Sequence, residues 1–472
     1  MFPRSVMLLT LWMIAGLAPG MTWAGGKISE YELENGLKLV VKEDHRAPVV
    51  VSQVWYKVGS SYEHSGITGI SHVLEHMMFK GTKNHPPGEF SRIIAANGGR
   101  ENAFTSRDYT GYYQQLDKSR LPISFELEAD RMRNLILPEA EFLKEVRVVM
   151  EERRLRTEDD PQALTLEYFN ASAFVNNPYS HPVIGWMNDL VNLRISDLEQ
   201  WYKTWYAPNN ATVVVVGDVN PEEVFALAKK YFGPLEPGVL PTLKPRIEVE
   251  QRGTRRIAVK APAELPYLLM GYKAPVVKTA QQDWEPYALE VLAAVLDGGD
   301  SARFAKRLVR GKQIATAAGA GYEPYARSET LFVFDGTPTA AHTIAELETA
   351  IRQEIESVRN ELASKEELER IKAQVVAGAV YELDSVFYQA MQIGTLETVG
   401  LDWRLIDQYV EKIRSVTPEQ VQQVARKYLV DDALTIAVLE PHAQSQQVPA
   451  LLAHQKRDPV KSPETQLGAS AK

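Results

Sequence analysis

Residues 69–81 read GISHVLEHMMFKG, and this stretch decides how the first half of the chain is interpreted. His72 and His76 are four residues apart, so on a helix they lie one turn apart and both can reach a single metal ion. Glu75 lies on the same face. A carboxylate in that place can accept a proton from a water at the metal instead of binding the metal.

The other residues of this stretch predict the helix itself. Apolar residues recur at helical spacing and form one stripe for core packing: Ile70, Val73, Leu74, Met77 and Met78. Thr68 is expected to cap the helix and Gly81 to end it. The two histidines and the glutamate then face away from the core. The alternative is a solvated helix face without a metal.

A zinc site built on two histidines normally has a third protein ligand, often a glutamate, and one open position. Residues 138–153, PEAEFLKEVRVVMEER, read as a long helix with Pro138 at its first position. Glu145 and Glu152 are two turns apart on one side of this helix, which makes it the candidate source of the third ligand. The acidic residues Glu141 and Glu151 are interpreted as solvated surface.

The order HxxEH followed by Glu152 resembles the pitrilysin/insulinase family of metallopeptidases, in particular its short two-domain bacterial members related to mitochondrial processing peptidase. Residues 97–113, 178–185 and 205–218 are also similar to segments of that family. The resemblance therefore spans nearly the whole chain after its first residues.

The resemblance implies a role for each residue of the site. It makes His72, His76 and Glu152 the ligands of one zinc ion per chain, Glu75 the general base, and Glu145 a carboxylate that supports the ligands. The implied reaction is hydrolysis of a peptide bond by an endopeptidase.

Residues 102–105, NAFT, are similar to the edge strand with which the family pairs an extended peptide substrate. Asn102, Ala103 and Phe104 are therefore the candidate substrate-binding residues. The alternative is an ordinary interior strand. Such pairing contacts the peptide backbone, so the sequence does not predict which side chains the substrate must have.

The first residues predict export. Arg4 is followed by an apolar run over residues 6–17 and by small residues before Gly25, which is the pattern of a signal peptide over residues 1–24 cleaved after Ala24. The run is shorter than a membrane span, although an uncleaved anchor is the alternative. The predicted location is the periplasm or the exterior, with no membrane span after cleavage.

Composition excludes several classes of protein. The chain has no cysteine, hence no disulfide, lipoprotein anchor or thiolate metal site. Its net charge of −9 becomes −10 when Arg4 leaves with the signal, since residues 1–24 hold no acid. A mildly acidic protein of this kind is not expected to bind nucleic acid.

The chain is predicted to contain two similar α+β domains from an internal duplication, each a mostly antiparallel sheet packed with helices. The proline-rich residues 234–246 form a linker between an N-terminal metallopeptidase domain, 25–233, and a C-terminal domain, 247–441. Residues 442–472 are predicted to be a disordered tail.

The second half is predicted to lack a metal site. Residues 284–299 repeat the apolar helix of residues 69–81 without a histidine, and the histidines at 342, 442 and 454 lack ligand spacing. The family's closed members also carry an Arg and, seven residues later, a Tyr in this half. Val309 and Thr316 occupy those positions, and Arg310 is displaced by one residue.

This departure predicts a second homologous subunit that supplies the missing Arg/Tyr pair. The alternatives are a homodimer that uses other contacts and a misaligned loop. The favoured function is a zinc endopeptidase of the cell envelope, the catalytic subunit of a two-subunit chamber. The competing functions are a non-catalytic scaffold or core subunit and a processing protease dedicated to one secreted peptide.

Overall fold

The computed structural model describes residues 26–442. The expected signal peptide, residues 1–24, lies outside the described residues, and so does nearly all of the expected tail. Among the residues described, no helix has both the length and the apolar composition that crossing a bilayer requires.

The first half of the chain contains six strands and eight helices within the described range. They are β1 (Ile28–Glu32), β2 (Lys38–Glu43), β3 (Val49–Tyr56), α1 (Ile70–Met77), α2 (Glu89–Ala96), β4 (Arg100–Thr105), β5 (Thr110–Asp117), α3 (Leu121–Asn134), α4 (Glu139–Arg153), α5 (Pro161–Ala173), α6 (Met187–Asn192), α7 (Ile195–Trp205), β6 (Ala211–Gly217) and α8 (Pro221–Tyr231).

The second half contains five strands and six helices within the same range. They are β7 (Arg255–Pro262), β8 (Tyr267–Ala274), α9 (Glu285–Asp297), β9 (Ala315–Gly321), β10 (Thr330–Pro338), α10 (Ile344–Asn360), α11 (Lys365–Glu382), α12 (Val386–Val399), α13 (Leu405–Ser415), α14 (Pro418–Tyr428) and β11 (Leu434–His442). No helix or strand occurs in residues 232–254, which include the predicted linker.

The two sheets have the same plan. Their strand orders are β1-β2-β6-β3-β5-β4 and β7-β11-β8-β10-β9, so the second sheet matches the first without β1. Each sheet has one parallel pair, β2 with β6 and β7 with β11, and its other pairs are antiparallel. The expected α+β class with two similar, mostly antiparallel halves is confirmed. The domain boundaries stay a prediction.

Each sheet has helices on both faces, and one face is covered by a helix from the other half. α5 of the first half packs on β7, β8 and β11, where Phe169 and Ala173 join the core around Leu269 and Ala437. α12 of the second half packs on β3 and β6 in the same way. The halves therefore share two cores, and the metal-ligand candidates lie beside one of these exchanged helices.

Candidate metal centre

The apolar face of α1 is buried, as the sequence predicts. The start of the helix, however, differs from the prediction. All five stripe residues are buried. The helix begins after Gly69, whose φ of 88° favours glycine, and not after a Thr68 cap. Thr68 instead donates its hydroxyl to Asp189, and the amides of Gly69 and Ser71 donate to the buried carboxylate of Glu63. A carboxylate from outside the helix thus replaces the expected cap.

The helix ends at Met77, and Gly81 (φ 100°) follows four residues later, so the predicted end is late. Pro138 precedes α4 by one residue instead of beginning it. These two differences leave the faces of both helices unchanged.

α1 and α4 bring the three predicted ligands together. The Nε2 atoms of His72 and His76 lie 3.8 and 3.6 Å from Oε2 of Glu152. One ligand atom from each residue lies within 4.8 Å of the others. Ligands about 2.0–2.1 Å from a tetrahedral zinc ion lie roughly 3.4 Å apart, so two imidazoles and one carboxylate in this arrangement fit zinc.

The contact between His72 and Glu152 is not an ion pair. Burial, together with the nearby His76 and Arg156, lowers the pKa of His72 to about 3. Its ring is therefore neutral at neutral pH, as a metal ligand must be. Its Nδ1 is buried and has no hydrogen-bond partner among the described residues.

Glu145 lies behind His76, as the resemblance implies. Its Oε2 is 3.2 Å from Nδ1 of His76, and its Oε1 is 2.6 Å from Nζ of Lys80. A carboxylate on the far nitrogen of a ligand histidine fixes the ring orientation and makes the ligand nitrogen more basic. Lys80 thereby balances the charge of Glu145.

Arg156 contacts one of the two carboxylate oxygens of Glu152, and the other oxygen faces the histidines. Its guanidinium lies 2.6 Å from Oε1, which leaves Oε2 as the oxygen nearest the histidines. Arg156 belongs to a π-helical turn, Arg154–Glu158, that continues α4. Wide turns of this kind are frequent at functional sites, and here the turn includes the residue that orients Glu152.

Glu75 is placed to exchange protons. Its Oε2 accepts a hydrogen bond of 2.5 Å from the hydroxyl of Thr105, at the end of β4. Burial raises the pKa of Glu75 above its ordinary value. A carboxylate whose basicity is raised in this way is better suited to accept a proton near neutral pH.

β4 is the edge strand of the first sheet, so one of its sides is not paired with another described strand. Asn102, Ala103 and Phe104 line a cleft of about 800 Å³ together with the two histidines, Glu75 and Glu152. Side chains of α5 and residues 180–184 form the opposite wall. The structure therefore places the predicted substrate-binding residues beside the candidate ligands.

The second half has no comparable group of ligands in the described range, where the three residues above are the only cluster with metal-binding geometry. Arg310 does not replace the missing arginine, because its guanidinium bonds to the carbonyl of Asp300. It belongs to a π-helical segment, Phe304–Gly311. Val309 lies within the same segment, and Thr316 lies in β9.

Sequence reasoning missed Thr105, Lys80 and Arg156. Thr105 belongs to the quoted NAFT segment, so its position was available as a signal. Lys80 and Arg156 each lie four residues after a site residue, His76 and Glu152, at the spacing of one helical turn. Neither could be separated from ordinary surface cations without the fold.

Comparison with known proteins agrees with this geometry. The sequence model described as insulinase (peptidase family M16) matches residues 38–186, and that described as the peptidase M16 inactive domain matches residues 192–375. The chain is similar to zinc protease PqqE of Helicobacter pylori, with 34% identity over 87% of this chain and 92% of the relative. It is also similar to the uncharacterized zinc protease YmxG of Bacillus subtilis, with 26% identity over 88% of this chain and 98% of the relative.

Solved structures show the same fold. The crystal structure of a protease from Helicobacter pylori superposes with a TM-score of 0.83 and 32% identity, over 88% of this chain and all of that one. The periplasmic protease PqqL of Escherichia coli superposes with a TM-score of 0.75 and 19% identity, over 89% of this chain and 49% of that one.

Proposed function

The chain belongs to the insulinase family of peptidases, M16, and is a zinc protease; from this premise we propose that it is an endopeptidase of the cell envelope that hydrolyses peptides or unfolded segments. The observation that carries the proposal is one cleft that holds three ligand atoms, a basic carboxylate and an unpaired strand edge. A protein that only bound peptides would need the edge but not the other two.

We assign His72, His76 and Glu152 as the ligands of one zinc ion per chain. When bound, zinc supplies a Lewis acid that acidifies water and polarises a peptide carbonyl. Glu145 orients His76, and Arg156 holds the Oε1 oxygen of Glu152 away from the ligand position.

Glu75 is the proposed general base. It accepts a proton from the attacking water and returns it to the amine that leaves when the peptide bond breaks. The hydrogen bond from Thr105 fixes one of its oxygens, so the carboxylate does not rotate between these two transfers. Thr105 is a positioning residue in this scheme.

The unpaired side of β4 is the proposed docking edge for substrate. An extended peptide can add to it as a further strand, with Asn102, Ala103 and Phe104 contacting its backbone. This pairing places a peptide bond of the substrate beside Glu75, because Thr105 ends the same strand and contacts that carboxylate.

We further propose that the chain is exported after cleavage at Ala24 and that it works with a second homologous subunit. The support is the signal pattern of residues 1–24, the periplasmic relative PqqL, and the side chains at 309 and 316. This chain matches about half of the length of PqqL, so that protease carries a further stretch of similar length in the same polypeptide. The proposed division at residues 234–246 corresponds to the segment without helices or strands.

One experiment tests both the mechanism and the partner. Zinc content and cleavage of an unfolded polypeptide are measured for the mature chain alone and with a candidate partner, using the native protein, Glu75→Gln, and Glu141→Gln as a surface control on α4. We expect Glu75→Gln to retain zinc and to lose about 10²- to 10⁴-fold in kcat, the usual contribution of a general base. Glu141→Gln should have no effect.

Unchanged cleavage in Glu75→Gln would refute the assigned base. Full activity of the isolated chain as a monomer would refute the second subunit. Cleavage confined to one secreted peptide would instead favour a dedicated processing protease.

A further inference from the structure

A cavity of about 490 Å³ lies in the second half, between α9, α11, α12, α13 and the chain that follows β9. The metal cleft has the corresponding place in the first half, since it lies between α1, α4, α5 and the end of β4. The strand registers support this equivalence. Ala103 pairs with Tyr112 at the edge of one sheet, and Ala320 pairs with Phe334 at the edge of the other.

The cavity contains acidic and aromatic side chains over an apolar floor. Three glutamates and four tyrosines line it: Glu290, Glu323, Glu382, Tyr322, Tyr325, Tyr388 and Tyr409. Aliphatic side chains of α11, α12 and α13 form much of the remaining wall. None of the described residues that line it is a lysine or an arginine.

Two hydrogen-bond acceptors in this lining have no donor. Glu290 is partly buried; its Oε1 accepts from the hydroxyl of Tyr409, whereas its Oε2 is buried without a partner among the described residues. Gln392 donates to Glu382 through Nε2, and its Oε1 is likewise buried and unpartnered. Buried acceptors without donors are costly, so both favour a ligand rich in N–H groups.

The charge of the cavity also favours a ligand rich in N–H groups, and in particular a cation. Burial raises the pKa of Glu290 to about 7 and raises the pKa of Glu323, because no cation in the lining offsets the loss of water. A bound cation would supply the missing charge. The tyrosine rings can hold a cation by their faces, and the aliphatic wall can pack an alkyl stem.

We propose that this cavity binds the cationic side chain of a lysine or arginine in the polypeptide substrate. The ammonium or guanidinium group donates to Oε2 of Glu290 and Oε1 of Gln392, and the aliphatic stem packs beside Met391. Metal coordination is not the alternative, since these carboxylates do not form a ligand cluster in the described structure.

The loop between β4 and β5 connects this cavity to the metal cleft. Arg107 of the loop lines the cleft, and Tyr109 of the same loop lies close to Thr395, which lines the cavity. We place the lysine or arginine in the same substrate whose peptide bond enters the metal cleft. This placement rests on the proposed peptidase function, whereas binding of the cation itself does not.

The test uses the mature chain with methyl-labelled methionine and with Glu75→Gln, which is expected to slow cleavage by about 10²-fold or more. The Met391 signal, assigned with Met391→Leu, is followed by NMR during titration with Nα-acetyl-lysine methylamide. The matched probe is Nα-acetyl-norleucine methylamide, which has a similar stem and no charge. We expect a saturable shift of Met391 with the lysine probe and none with the norleucine probe.

Glu290→Gln should weaken binding of the lysine probe by about tenfold or more, because a charge-assisted hydrogen bond is lost. Glu411→Gln, an exposed change on α13, should leave it unchanged. Equal shifts with both probes, or no shift with either, would overturn the proposal. This comparison of the two probes does not depend on the result for Glu290→Gln. Binding of spermidine but not of lysine-containing peptides would overturn the assignment to substrate. Loss of cleavage in the native chain would not affect this readout.

Discussion

The two halves have the same sheet and the same cleft, and they differ in which side chains the cleft contains. In the first half, α1 and α4 supply two imidazoles and three carboxylates. In the second, α9 and its neighbours supply glutamates and tyrosines. The difference teaches that the fold provides a helix-lined space beside an edge strand. Its chemistry depends on a few residues at fixed positions on two helices.

The largest effect is expected when the metal cleft is made to resemble the cavity of the second half, where no described residue of the lining is a histidine. His72→Leu removes one of the three ligands and should abolish stoichiometric zinc binding. The loss of Lewis-acid catalysis amounts to several kcal/mol, so kcat should fall about a thousand-fold or more. Metal analysis and peptide cleavage measure the two effects.

The control is His342→Leu in the second half, where the histidine contacts Glu346 at the surface of α10. It should change neither zinc content nor activity. Retained zinc in His72→Leu would contradict the assigned ligand set.

A second prediction concerns the contact between the halves. Arg327 of the second half lies over the ring of Tyr62, donates to the hydroxyl of Ser61 at 2.8 Å, and faces Asp108 at 3.4 Å. Asp108 is buried and also accepts from Tyr179. Arg327→Met removes the cation and leaves this carboxylate poorly compensated, which should lower the free energy of unfolding by about 2–4 kcal/mol.

Denaturant unfolding of the metal-free chain measures this loss, with the exposed change Arg252→Met as control. The expected result for Arg327→Met is a single unfolding transition whose midpoint lies at a lower denaturant concentration. An unchanged midpoint would show that the halves do not depend on this contact.

The smallest predicted effect is the contribution of Glu290 in the second half to the pH dependence of stability. The pKa of Glu290 is about 7 in the folded protein and near 4.5 when unfolded, so between these values the folded state binds more protons. Its contribution to stability is present below about pH 4.5 and is lost as pH rises through about 7, by up to about 3 kcal/mol.

Glu290→Gln should reduce this slope, which is obtained from denaturant midpoints between pH 5 and 8. The slope that remains includes the contribution of buried Glu63 in the first half, whose pKa burial also raises to about 7. Glu411→Gln should leave the slope unchanged. An unchanged slope in Glu290→Gln would assign the whole pH dependence to other groups.

Much of this arrangement could be predicted from the sequence. The spacing in residues 69–81 and the apolar stripes of α1 and α4 are local patterns, and they gave the faces on which His72, His76, Glu145 and Glu152 lie. The duplication was also predictable, because a helix followed by a short turn and an apolar strand occurs near the end of each half, as α7 with β6 and as α14 with β11. Helix ends were less accurate, because Glu63, which caps α1, approaches from outside the helix.

Contacts between distant segments could not be predicted. The pairing of Arg156 with Glu152 depends on a π-helical turn, which has no clear sequence pattern. The exchange of α5 and α12 depends on which apolar face meets which sheet, and many apolar faces are compatible by composition alone. The cavity of the second half combines residues from five segments, none of which has a motif.

The exchange of α5 and α12 has a consequence for how the gene can be divided. A fragment that ends at the proline-rich segment would carry α5 without the sheet it covers, and β3 and β6 would lose α12 and expose Trp55, Val51 and Val214 to water. Such a fragment would be prone to aggregate despite containing every candidate ligand. The shortest independently folding form of this enzyme is therefore expected to contain both copies of the duplicated unit, and truncation is not a route to a minimal catalyst.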